Sequence, residues 1–153
     1  MPQLQFTTTI NRPATDIFNL IADLPNYYRW LSASALFEGL QHISDDPIKL
    51  GTTYTDQGKS STLQGTITEF KPPTNITFQQ GMRYNWPLLH PGLDIQIRYT
   101  LQAENGSTRV VRDINLNVVG VLKVAQPVLV RSITAENHRI LAKMKAYLEA
   151  QSA

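Results

Sequence analysis

Among its 153 residues the chain has no cysteine, which excludes disulfides, thiolate metal ligands and a cysteine nucleophile. Histidine is nearly as scarce, and His42, His90 and His138 are widely spaced, so no zinc site is expected. An excess of one charge is missing too. Lys plus Arg number 14 and Asp plus Glu 12, a net +2, and the pI near 9.0 reflects a small surplus rather than a basic field. Arg131, Arg139, Lys143 and Lys145 fall together near the C-terminus without interleaved aromatics. They read as a solvated helix face, and nucleic acid is not expected as a partner.

No long hydrophobic run is present. Residues 118–130 come closest, but Gly120, Lys123, Gln126 and Pro127 interrupt them, well short of the ~20 apolar residues of a spanning helix. The opening MPQLQFTTTINRPATD has no basic cluster followed by an apolar stretch, so no secretory signal is expected there. A soluble, cytoplasmic protein is expected. Neither GxGxxG, a P-loop, GxSxG nor HExxH occurs, and no carboxylates stand at metal-ligand spacing. No cofactor or metal is therefore expected. What is present, 42% hydrophobic and 17% charged residues, suits one domain over residues 1–153.

Leu4, Phe6, Thr8 and Ile10 alternate with polar residues and predict a first strand. Pro13 then opens a short helix carrying Ile17, Phe18 and Ile21 to about Asp23. A second short helix is expected over residues 24–31, which restart at Pro25 and are too aromatic for a free loop. From residue 35 to 119 β-rich runs alternate with turn residues about every ten positions. This predicts an antiparallel meander with strands near 36–44, 52–57, 62–71, 75–84, 93–103 and 107–119. Leu93, Ile95, Ile97, Tyr99 and Leu101 mark one buried face. Val110, Ile114, Leu116 and Val118 mark another, with Arg112 intruding on it. The three strands between 36 and 71 have patterns too mixed to assign an inner face. Leu36 against Phe37, and Leu63 against Phe70, fall on opposite parities. Finally, Leu122, Ala125, Leu129, Ile133, Asn137, Ile140, Met144 and Leu148 recur every three or four residues. They form a helical stripe from about residue 121 to 149 that Pro127 should bend or split.

This order of elements resembles the START-like or helix-grip (SRPBCC) superfamily, which includes pollen-allergen-like proteins and polyketide cyclase/dehydrase-type families. INRPATDIFNLIADLPNYYRWL, with Pro13, Asp23 and Trp30, is similar to that group's opening; KLGTTYT is similar to its strand entry, GTITEFKPPTNITF to its proline-bearing hairpin, and LAKMKAYLEA to its helix ending. The resemblance implies an α+β helix-grip fold. A curved seven-stranded antiparallel sheet would wrap a long C-terminal helix, with two short helices after strand 1. It also implies a cavity between sheet and helix for a hydrophobic or amphipathic small molecule. Members differ in activity: carriers, cyclases or dehydratases, and proteins that act through partners.

Inward-facing polar residues are the candidate ligand contacts, because an unpaired charge or amide in a dry core costs several kcal/mol. Arg112 could anchor a carboxylate, phosphate or enolate oxygen, or could instead pair with an inward carboxylate such as Glu38 or Glu69, or be turned outward by a bulge. Gln80, Tyr84 and Tyr99 share inferred inner faces, and Asn137 breaks the helix stripe at its middle. The apolar-rich loop of residues 85–92 would act as a lid, with Trp86 and His90 at its mouth, and the resemblance puts Tyr27 and Trp30 on the opposite rim. His90 could instead be a surface histidine beside a proline-fixed turn, and Trp30 plain packing. Binding of a hydrophobic small molecule is the first reading. A metal-free cyclase or dehydratase using Arg112, Tyr99 or His90, and an interaction module of the chaperone-cofactor type, are the alternatives.

Overall fold

The computed structural model describes residues 2–34, 36–59, 61–83 and 92–151. The strands are β1 (Gln3–Ile10), β2 (Gly39–Gln41), β3 (Thr53–Gln57), β4 (Thr62–Lys71), β5 (Asn75–Arg83), β6 (Gly92–Glu104) and β7 (Ser107–Val119). They form one antiparallel sheet in the order β1-β7-β6-β5-β4-β3-β2. The chain's first strand therefore pairs with its last. Helix α1 (Ala14–Ala22) and a 3₁₀ segment (Leu24–Arg29) follow β1, and a second 3₁₀ segment (Gly120–Ala125) leads into α2 (Gln126–Ala150).

Local chemistry explains the frame. Asn105 (φ 49°) and Gly106 (φ +88°) form the two-residue turn between β6 and β7, the backbone that an Asn-Gly hairpin favours. The turn fixes the register Tyr99↔Arg112, Ile97↔Ile114 and Ile95↔Leu116. Arg112 consequently faces inward, beside Phe6 of β1. Pro127 sits in the first turn of α2, where its missing N–H costs no hydrogen bond. It splits the C-terminal stretch into a 3₁₀ lead and a 25-residue helix, about 37 Å long at 1.5 Å per residue. Ile133, Asn137, Leu141, Met144 and Leu148 of α2 are buried against the sheet.

Two departures from the sequence pattern have physical causes. A bulge between Ile67 and Glu69 reverses the parity of β4. Leu63 and Phe70, on opposite parities in sequence, both reach the inner side, while Glu69 turns out to meet Arg98 and Lys71. The bulge extra residue does this by breaking strict alternation. The expected strand over 36–44 shrinks to Gly39–Gln41, with positive φ at Gly39 and His42 on its flanks. Freed from strand geometry, Leu36 and Phe37 line the same inner space.

Candidate functional site

Between the concave face and α2 lies a cavity of about 320 Å³, and adjoining it is a smaller one of about 60 Å³. Phe37, Asp56, Gln80, Ile97, Arg112 and Ile140 line both, so these six residues mark the division between a wide chamber and its smaller neighbour. Most of the wide chamber's wall is aliphatic, from Leu93, Ile95, Ile97 and Ile114 of the sheet to Leu129, Ile133 and Ile140 of the helix.

Polar groups gather at the division. Arg112, 7% exposed, donates from Nε to Asn137 Oδ1 and from one Nη to the Tyr99 hydroxyl. Its guanidinium carbon lies 4.9 Å from the Tyr99 ring centroid, within cation–π range. Asn137 in turn donates to the Ile133 carbonyl at 2.7 Å, which fixes its oxygen toward Arg112. A second chain runs beside the first. The Tyr54 hydroxyl donates to Gln80 Oε1 at 2.6 Å, and Gln80 Nε2 donates to Asp56 Oδ2 at 3.1 Å. Tyr54 can lie flat over its cross-strand neighbour only because that neighbour is Gly65. A Cβ there would stand 2.2 Å from the ring.

Asp56 is the least satisfied member. Its Oδ1 is buried without a hydrogen-bond partner, as is the Trp30 indole nitrogen, and these are the two such side-chain atoms among the described residues. Burial pushes the Asp56 carboxyl up to about 6, against the lowering effects of Gln80 and the Arg112 charge. Glu136, at the chamber wall, behaves oppositely. Burial would raise it, but Arg139, bonded through both carboxylate oxygens at 2.9 Å, and the Ser34 hydroxyl hold it below the usual range. Burial also lifts the Tyr27 and Tyr54 hydroxyls well above their ordinary value, so both stay neutral.

The structure thus brings together Gln80, Tyr99, Arg112 and Asn137 of the sequence candidates. Tyr27 lines the smaller cavity, but its hydroxyl turns back to donate to the Ile21 carbonyl. Trp30 lines neither cavity; it is 5% exposed and packs on Tyr27 with ring centroids 5.0 Å apart. Arg112 does not pair with Glu38, which is exposed, or with Glu69, which the bulge turns outward. Tyr84, Trp86 and His90, with their expected lid, lie outside the described residues. Sequence reasoning missed Tyr54, Asp56 and Glu136. The Tyr54/Asp56 parity opposite Gly65 was the available signal, hidden by the shortness of β3.

A curled antiparallel sheet closed over a long helix, with an apolar chamber and a buried polar cluster between them, defines a START-like, helix-grip protein. Solved structures agree on the fold. A protein from Mesorhizobium loti superposes with a TM-score of 0.75 at 10% identity, covering 99% of this chain and 100% of that one. A START superfamily protein from Mycobacterium smegmatis gives 0.69 at 13%, covering 98% and 99%. A protein in the dynemicin biosynthetic locus gives 0.64 at 16%, covering 96% of this chain, which spans 47% of that one. The chain belongs to the family described as polyketide cyclase / dehydrase and lipid transport, whose model matches residues 1–149. No curated protein matches the sequence.

Proposed function

We propose that the protein binds a single-chain amphipathic small molecule, its apolar body in the wide chamber and its polar end at Arg112. The observation that carries this reading is the chamber itself: about 320 Å³ of largely aliphatic space ending on a buried guanidinium. That volume lies at the low end of ligand pockets, roughly 300–1,000 Å³, and suits one acyl or polycyclic body rather than a two-chain phospholipid. Binding is favoured over cyclase-type turnover because the polar residues are largely bonded to one another. Arg112 holds Asn137 and Tyr99, and Gln80 bridges Tyr54 and Asp56. Such a network positions a ligand's polar atom against a fixed surface.

Native mass spectrometry of the purified protein, with thermal shift against a panel of single-chain lipophiles, tests the reading. A bound or stabilising compound is expected, adding about 2.7 kcal/mol at a hundredfold excess over Kd. Ile140→Phe places a ring where the two cavities meet and should abolish the shift while keeping the fold. No stabilisation by any compound, or an unchanged shift in that variant, would overturn it.

A further inference from the structure

A buried arginine at the end of an apolar chamber invites the conclusion that its ligand is an anion, such as a fatty acid. The charges around it argue otherwise. Of the two carboxylates that line the chamber, Glu136 is already engaged by Arg139 through both oxygens. Asp56 has no cationic hydrogen-bond partner; its Oδ2 accepts from the Gln80 amide and its Oδ1 accepts nothing. Asp56 and Arg112 line both cavities together, so, among the described residues that line the chamber, the carboxylate without a cationic hydrogen-bond partner shares its walls with the only cation, whose charge acts on it. A half-buried carboxylate whose enclosed Oδ1 has no hydrogen-bond partner and which bonds no cation directly departs from the rule that buried charges are directly paired. Departures of that kind are concentrated at functional positions.

We infer that the chamber takes uncharged carbonyl compounds, such as ketones, esters or amides with an apolar body, and rejects free carboxylates. The remaining N–H groups of Arg112 supply donors for a carbonyl oxygen. Asp56 supplies the countercharge in advance, so a ligand carboxylate arriving there meets a like charge in a poorly solvated space, an arrangement that costs heavily. Asp56 acts here by setting the charge of the site, with no covalent role.

This inference rests on the cavity being a binding site, and the test separates the two. Decanoic acid and methyl decanoate, matched in chain length and differing in charge, are titrated calorimetrically at neutral pH into the wild-type protein and Asp56→Asn. The asparagine keeps the shape and an acceptor for Gln80 while removing the charge. The wild type should bind the ester at least about tenfold more tightly than the acid. Asp56→Asn, with Arg112 unmatched, should reverse the order. Tighter binding of the acid by the wild type, or the same order in both proteins, overturns the inference and leaves the cavity reading intact. Binding of neither compound, together with no shift from the wider panel, overturns both.

Discussion

Above about pH 6 Asp56 is ionised in a setting that gives it one hydrogen bond. Its ordinary value is 3.8, so the folded state holds the proton more tightly than the unfolded chain does. Stability from this group is therefore highest below about pH 4 and falls as pH rises through about 6. A rise from 3.8 to about 6 corresponds to about 3 kcal/mol at most. Asp45, Glu69, Glu136 and Glu149 are all held low and act in the opposite direction, so the effect is read as a difference. Urea unfolding of Asp56→Asn and wild type across pH should show a gain for the variant that is near zero at pH about 4 and full above 6. A gain independent of pH would show that Asp56 is not the titrating group. Arg112, Tyr99 and Asn137 were legible in sequence because long, regular elements carry them: thirteen-residue strands and a 25-residue helix leave little freedom of parity. Asp56 sits on five-residue β3, where Thr53 and Thr55 share one face and Tyr54 and Asp56 the other, so neither face is plainly apolar.

Among the elements, α2 depends on a residue from the other end of the chain. Arg12 donates to the Leu148 and Gln151 carbonyls at 3.1 and 2.7 Å, and is itself held by Asp16. A cation on the last carbonyls of a helix both satisfies them and meets the negative end of its dipole. Arg12→Ala should cost roughly 1–3 kcal/mol and release hydrogen-exchange protection in the last turn of α2 before the rest of that helix. Uniform loss along the helix would show that the clamp has no local role. The boundaries of β4 and β7 and the Asn-Gly hairpin could be read directly from sequence, because their turn residues admit few backbones. The bulge at Ile67/Glu69 could not be read. No residue type marks it, and it is selected by what the sheet gains when both Leu63 and Phe70 face inward.

For the whole molecule, element order together with the family resemblance reached the architecture, whereas the pairing of the first strand with the last was not read from sequence. The chamber was legible only through the family resemblance, not from the residues themselves. A void is the space that side chains from many elements fail to fill, and no single residue records it. That void also gives the molecule a mechanical property. A close-packed interior leaves little volume to recover on unfolding, but whatever part of about 320 Å³ of mostly aliphatic space stays unwetted is volume that disappears when the chain opens. Hydrostatic pressure should therefore unfold the empty protein at modest values, since the unfolding volume scales with the internal void eliminated. Filling the chamber should raise the pressure midpoint by more than its affinity alone would add. The fluorescence of buried Trp30, followed under pressure with and without a bound lipophile, would show it. Equal midpoints would mean that the space is already occupied by water.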